Sequence, residues 1–475
     1  MKNVLTKKSQ NMIFTVLMIS SIIGAVLQTA LTTALPAIIN DLQISAATAQ
    51  WLTSAYSLSM GIMVPATAFL MKRFKTKPLF ITGLIFFFIG LLFAATSVSF
   101  PTLLVGRILQ ALGSGILTSM TQVVILTIFS KEQRGTVMGI YGLAIGAAPV
   151  LAPTITGIVI DYFDWHVIFW FCLVIVAFNL VFASIVMKNV LENEKQKFDF
   201  VSMLLSTFGF SGFLLGIGNL GSSDFISFNI ALPLTIGILS LIAFTIRQLH
   251  LENPFLELRT FKNKEFRLSV IMSMLLYAIM ITGSTLFPLY IQIVHGLSAT
   301  KSGLIMMPGS ITMAIISPFA GKIYDKFGIR KLAIIGSGFM AISCLGISFV
   351  GEDTSVIYLT LFYIARLISI SCMLMPLVTW GMSTLDSTYT SHGTAILTSL
   401  RTISGAIGAT VFVSIMSYVT KITSDSAAVT ANASGIDVAF ICITIVAVLQ
   451  FVLAILFVGK KTKSISEASS FQYSE

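Results

Sequence analysis

Apolar stretches bounded by charged residues or by Pro and Gly clusters run along the chain at 12–35, 48–71, 79–97, 100–129, 136–160, 166–187, 200–220, 227–247, 268–293, 302–322, 331–350, 355–383, 393–419 and 437–459. Each has about the 20 residues that a helix needs to cross roughly 30 Å of hydrocarbon. The pattern therefore predicts an all-α integral membrane protein with fourteen transmembrane helices. The polar gaps are short and leave no room for an independent soluble domain.

An even number of crossings puts both termini on one side. Of the 29 Lys and Arg, 24 fall in segments that this threading sends to the terminal side: the N-tail, the gaps around Lys72, Lys131, Lys188, Arg259 and Lys322, and the C-tail. Only Lys301 and Lys421 fall on the other. Basic loops stay cytoplasmic, so both termini are expected in the cytoplasm and the protein in the cell membrane. Trp51 and Trp165 fall near outer helix ends, where interfacial anchors sit.

Composition agrees. Of 475 residues 56% are hydrophobic and 10% charged, against about 25% charged in a soluble domain. That excludes an ordinary soluble enzyme, a disordered chain and a nucleic-acid binder; the net charge of +10 is a topology signal. Cys172, Cys344, Cys372 and Cys442 lie inside apolar runs and suggest no disulfide framework. Lys2, Lys7 and Lys8 precede a long apolar segment without a small-residue cleavage site, which reads as a first membrane helix and not a removed signal.

The chain repeats itself. GRILQALGSG (106–115) enters a long helix with Arg107, as ARLISIS (365–371) does with Arg366, at an offset of 259. RGTVMG (134–139) matches HGTAIL (392–397) at 258, and AFLMKRFKTKPL (68–79) matches GKIYDKFGIRKL (321–332) at 253. Three anchors in one order predict two repeated six-helix halves, 1–190 and 251–475, around an extra helix pair at 191–250. Two such halves about a midplane site are the architecture of a secondary transporter.

These motifs resemble the major facilitator superfamily, and more narrowly its fourteen-helix drug:proton antiporter family. GKIYDKFGIRK resembles the superfamily's loop motif, RILQALGSG its fourth-helix motif, and GAAPVLAPTITG (146–157) the antiporter motif of its fifth helix. LTTALPAI (31–38) resembles the family's first helix and NPFLELRTFKNKEF (253–266) its loop after the extra pair. The resemblance covers nearly the whole chain. It implies a multidrug efflux antiporter that carries small lipophilic molecules against protons, surrounded by membrane lipid. It also implies a gating loop of Gly321, Asp325, Gly328 and Arg330, and a bendable fifth helix of Pro149, Pro153 and Gly157. The chain departs from the pattern at Ala68, Lys72 and Lys75 in the first-half loop, at Ala152 and Thr156 in the fifth helix, and at Gln28, where family members commonly carry an acid. Lys72 would break the first-half latch and make gating asymmetric.

Charge at depth is costly and marks functional positions. Asp41, Asp161, Asp164 and Asp437 are expected at outer helix ends or loops, so no membrane-buried acid is evident. Arg107 and Arg366 enter membrane helices; each either binds a polar or anionic group in a central cavity or fastens helices through backbone carbonyls, Arg107 with help from Gln110. Gln28 and Thr32, one turn apart, can face the same cavity or act as interhelical glue. Arg401 is expected to be structural, paired with Asp386 or a helix end. Tyr56, Tyr277 and Tyr363 with Met60, Met280 and Met306 could give an adaptable lining, although packing explains any one of them as well. His392 is expected as a loop or cap residue.

No Walker loop, zinc-ligand set or Ser/His/Asp arrangement is present, so neither a cofactor nor direct ATP drive nor an enzymatic activity is expected. Three functions stay open: a proton-coupled exporter of small lipophilic drugs; an exporter of a lipid, fatty acid or metabolite anion that uses the cavity arginines; and a non-transporting membrane sensor that keeps the fold. Fold alone does not decide among them.

Overall fold

The computed structural model of the chain describes residues 5–44, 46–191, 193, 199–218, 227–252, 254, 256–297, 299–351, 354–423 and 428–459. The side chains of Thr32, Pro149 and Pro153 also lie outside the described set. Among the described residues fourteen α-helices follow one another: α1 (Lys7–Leu42), α2 (Ala46–Arg73), α3 (Thr76–Ala95), α4 (Phe100–Ile128), α5 (Arg134–Tyr162), α6 (His166–Val186), α7 (Phe200–Gly218), α8 (Phe228–His250), α9 (Lys264–Ile293), α10 (Ala299–Phe327), α11 (Ile329–Ile347), α12 (Val356–Ser383), α13 (Thr390–Ile422) and α14 (Ala428–Phe457). All but α5 are, over their described residues, long and apolar enough to cross a membrane. Such a span must satisfy its own backbone, and its hydroxyls follow suit: Ser20, Thr67, Thr121 and Thr379 each donate to the carbonyl four residues earlier.

Antiparallel neighbours place the starts of the odd-numbered helices at one end of the bundle. That end carries nearly all the Lys and Arg and is called the basic end here.

The two sets of six helices pack alike. In the first, α1 lies on α5 and α6, α3 on α4 and α6, and α2 on α4; in the second, α9 lies on α13 and α14, α11 on α12 and α14, and α10 on α12. The contacts between the sets obey the same exchange: α5 meets α10 and α12, while α13 meets α2 and α4. The resulting pseudo-twofold leaves two seams between the halves, α5/α10 and α2/α13. Helices α7 and α8 pack mainly on each other, and α7 also rests on both α2 and α13.

Asp199 anchors this pair at the basic end. Its carboxylate accepts from Arg247 Nη2 (3.1 Å), Arg247 Nε (3.2 Å) and the backbone of Ser202 (3.1 Å). Burial pushes the Asp199 carboxyl up, but these bonds and the Arg247 charge outweigh it and hold the group below the usual carboxylate range.

Two positions differ from the sequence reading. Helix α14 begins at Ala428, nine residues before the expected start, and runs straight through Asp437. A carboxylate reads as a helix edge in a hydropathy pattern; here it is half-buried inside the span, and one carboxylate oxygen is buried without a partner. Trp165 is no interfacial anchor. It is buried, stacks on His166 and donates through Nε1 to Asp41 (3.1 Å), so it locks the α5–α6 turn to the end of α1. Trp51 is 49% exposed, as an anchor would be.

Candidate functional site

Arg107 is wholly buried, a quarter of the way along α4. Its guanidinium donates to Gln110 Oε1 (2.8 Å) and, at 3.4 Å each, to the carbonyls of Leu27 in α1 and Leu52 in α2. It also lies 4.2 Å from the centre of the Tyr56 ring. Gln110 passes the link on to the Gly90 carbonyl of α3 (3.0 Å). One Arg–Gln pair thus ties together four helices of the first half. Arg366 in α12 makes the link to one helix only, donating to the carbonyls of Ile279 (2.6 Å) and Met280 (3.1 Å) in α9. Its guanidinium lies against Gly283, where any Cβ would collide with it. Leu27 and Ile279 are themselves repeat partners, offset by 252 like Pro36 and Pro288. Both arginines therefore perform one act twice: they staple the fourth helix of a half to the first. In this conformation neither is open to a cavity.

Gln28, next to the stapled Leu27, is exposed. It points a third of a turn away from Ile22, which is also exposed on α1. Ser57 of α2 and Ser284 and Thr285 of α9 are exposed polar residues well inside their helices too.

The basic end is closed differently. Asp325, two residues before the end of α10, crosses the seam to the N-terminus of α5. Its carboxylate accepts from the amides of Gly135 (2.7 Å) and Thr136 (2.8 Å) and from the Thr136 hydroxyl (2.8 Å). These are orphan amides at the positive end of a helix, so one carboxylate caps α5 from the opposite half. The approach needs glycine on both sides: a Cβ on Gly321 would sit 2.2 Å from the Gly135 carbonyl oxygen, and one on Gly135 2.6 Å from the Gly321 oxygen. Gly328 has φ +75°, a left-handed turn that suits glycine and starts α11. Arg330 in the first turn of α11 is half-buried and makes no ion pair among the described residues.

The matching loop of the first half turns inward. Where Asp325 stands in the second half, Lys72 stands in the first, and the loop is held by the irregular segment that follows α6. Asn193 Nδ2 donates to the carbonyls of Phe74 (2.5 Å) and Met71 (3.2 Å), the buried Thr76 hydroxyl accepts from the amides of Val190 and Leu191, and Asn189 accepts from the Lys77 amide. At α13, the counterpart of α5, Thr394 donates to Met382 Sδ within its own half. His392 accepts from the Glu257 amide through Nδ1 (3.4 Å), which docks the linker on α13. The two seams therefore close by different means.

Helix α5 continues unbroken through positions 149 and 153. Ala152 and Thr156 are buried, while a Cβ on Gly157 would meet nothing within 4 Å. Close approach in α5 runs from Gly135 and Gly139, which meet the backbone of α10, to Gly142 and Gly146, which meet Met375 and Met313, and does not reach Gly157.

Sequence reasoning undervalued one residue. Arg401 does not pair with Asp386, which is exposed. It is only 3% exposed, its Nε and Nη1 have no hydrogen-bond partner, and its guanidinium carbon lies 5.2 Å from the Tyr277 ring centre. The available signal was its lack of a repeat counterpart: the offset of 258 leads to Leu143.

The comparisons with known proteins agree with this architecture. The profile of the Major Facilitator Superfamily matches residues 17–409. Among curated relatives, the uncharacterized MFS-type transporter YcnB of Bacillus subtilis is 36% identical over 446 residues, covering 94% of each chain. The lincomycin resistance protein LmrB of the same organism is 37% identical over 457 residues, covering 94% of this chain and 95% of its own. Two solved structures share the fold at 15% identity: the human organic anion transporter MFSD10, with a TM-score of 0.68 over 94% of this chain and 99% of its own, and the proton:xylose symporter XylE, with 0.65 over 98% and 100%. With a matching profile over most of its length, a two-half helical bundle and drug-resistance relatives, the chain belongs to the Major Facilitator Superfamily and is a multi-pass membrane transporter, not an enzyme.

Proposed function

We propose that this transporter is a secondary active exporter of small lipophilic compounds, antibiotics among them, that works by alternating access and is driven by the proton gradient. It would sit in the cell membrane with all fourteen helices crossing, both termini cytoplasmic and the basic end inside. Its working units would be residues 1–190, 191–250 and 251–475.

The observation that carries this reading is the cross-seam cap of Asp325 on α5. It joins the halves at the basic end through bonds that water can replace, and polar side chains deeper in the bundle (Gln28, Ser57, Ser284, Thr285) stay exposed. A bundle held shut at one end by a releasable clasp is suited to two-state gating. The lincomycin-resistance relatives favour drug-like cargo. Gln28 and Thr32 would meet substrate, Arg107, Gln110 and Arg366 would hold the first and fourth helices of their halves rigid, and α5 would bend at Pro149 and Pro153. Among the described acids, Asp437 is set deepest inside a span and is the proposed seat of the coupling proton.

The test is purified protein in liposomes with an internal pH dye, an imposed proton gradient, and a panel of lincomycin and cationic, neutral and anionic lipophilic compounds. The expected result is substrate-dependent proton flux that Asp437→Asn abolishes. Substrate movement without proton flux rejects the coupling. No movement of any compound rejects export in favour of the non-transporting reading.

A further inference from the structure

The first-half surroundings of Arg401 are as unsatisfied as Arg401 itself. Four side chains meet near the α4/α5/α9/α13 junction, on the basic-end side of the two arginine staples. Tyr141 of α5 is fully buried; its hydroxyl makes no hydrogen bond of good geometry, although it stands beside Gln122 of α4 and Ser21 of α1, and it lies within the field of Arg401 and Tyr277. Gln122 is also fully buried, and neither its amide nitrogen nor its amide oxygen has a partner. Donors from α4, α5 and α13 therefore converge on a place where protein supplies no carboxylate. The buried charges among the described residues are Arg107, Arg366, Arg401 and Glu257. Arg107 and Arg366 each keep one unpartnered nitrogen but are bonded to carbonyls, whereas no bond from Arg401 to a carbonyl is seen among the described residues, and Glu257 pairs with Arg259 (3.6 Å).

An unpaired buried cation is costly to keep. If Arg401 served the fold, the repeat would be expected to supply it twice, as it supplies the staples; instead the first half has Leu143. The remaining charge partner is a ligand. On the far side of α13 from Arg401, Ser399, Thr402 and Ile403 with Met60, Val64, Phe210 and Leu214 line a mainly apolar gap beneath α7; an amphipathic molecule would have to reach round α13 from the guanidinium to place its body there.

We propose that Arg401, Tyr141, Gln122 and Tyr277 form the seat for the negatively charged group of an amphipathic organic anion, a carboxylate, sulfonate or phosphate, at the junction of the two halves. This rests on the exporter reading and narrows its substrate class. The guanidinium supplies the charge and a forked pair of N–H donors, and Tyr141 and Gln122 add donors from the opposite half. A bound anion would then tie the halves together at the bottom of the cleft.

The experiment uses the full-length protein in detergent and in vesicles, with two dyes of related ring system: fluorescein, an anion, and rhodamine 6G, a cation. Binding is read by fluorescence anisotropy, stability by thermal unfolding and transport by dye movement across the vesicle wall. Arg401→Gln is expected to weaken fluorescein binding at least about tenfold, the loss expected for one charged hydrogen bond. Arg401→Lys should fall between, and rhodamine 6G should bind no worse. Fluorescein should raise the melting temperature of the parent and not of Arg401→Gln, and the ligand-free variant should melt no lower than the parent. Equal fluorescein affinity in parent and variant overturns the proposal, as does rhodamine 6G binding without fluorescein binding. A ligand-free Arg401→Gln that melts well below the parent assigns Arg401 to the fold and also overturns it. An Arg401→Gln that does not fold overturns it in the same way, and where the variant folds, Arg401→Lys and Tyr141→Phe extend the binding comparison. Fluorescein binding without movement of either dye counts against export and leaves the seat standing; movement of rhodamine 6G alone does the reverse.

Discussion

Removing the Asp325 carboxylate should unlatch one end of the bundle. Three short bonds from Gly135 and Thr136 end on its two oxygens. A hydrogen bond to a charged group is worth about 1.5–3 kcal/mol, and a helix N-cap alone about 1 kcal/mol. Water re-solvates the freed amides once the seam parts, so the three bonds do not add in full; about 2–4 kcal/mol is a reasonable total for Asp325→Ala. At about 1.4 kcal/mol per factor of ten, the closed-to-open ratio should fall about 30- to 700-fold. Asp325→Asn keeps one acceptor oxygen and should cost about half as much. The assay is a distance measurement between spin labels at Lys131 and Lys326, both exposed at the basic end on opposite sides of the seam, in a chain whose four cysteines are replaced. Asp325→Ala should move the distribution to longer distances, and Lys72→Ala should not, because no described bond of the Lys72 side chain crosses the other seam. An unchanged distribution in Asp325→Ala, or equal opening in Lys72→Ala, would refute the reasoning.

Three further outcomes follow from the same geometry. Gly321→Ala should open the seam as Asp325→Ala does, because its Cβ would stand 2.2 Å from the Gly135 oxygen, while Gly157→Ala should leave the spin-label distances unchanged. Asp199 has a depressed carboxyl in the folded protein, so its contribution to stability is present above the ordinary carboxylate range near pH 4 and is lost as acid titrates the folded group; the melting-temperature gap between the parent and Asp199→Asn should be full at neutral pH and close below that range. Lysine lacks the guanidinium fork that reaches two carbonyls from Arg366 and two carbonyls and the Gln110 amide from Arg107, so Arg107→Lys and Arg366→Lys should each lower the melting temperature in detergent, by about 2–4 kcal/mol of stability, without changing the ratio of fluorescein to rhodamine 6G binding.

The helices are legible because bilayer thickness fixes their length, and their ends are misplaced where a charge or a proline stands inside a helix, as at Asp437 in α14 and Pro36 in α1. The repeat was legible through Arg107, Arg366 and the two loops. What the staples hold was not, since Leu27, Leu52 and Ile279 contribute carbonyls, and a backbone acceptor leaves no trace in residue identity. Asp325 could be singled out by its motif. Its partners lie 190 residues earlier and become neighbours only through the pseudo-twofold, so the cross-seam cap needed coordinates. Arg401 was visible as a charge, but its isolation was not: Asp386 looked available in the sequence, and only the fold shows it at the surface.

The placement of α7 makes the bundle's two flanks unequal. Because α7 rests on α2 and α13 together, it roofs one seam along the membrane plane, while α5 and α10 have no such cover among the described helices. Under the proposed alternating access, a compound arriving from the lipid would meet an uncovered seam only on the α5/α10 flank. On the other it would first have to displace a helix, and rocking halves would have to slide beneath that helix. The extra pair thereby gives an otherwise twofold molecule a front and a back.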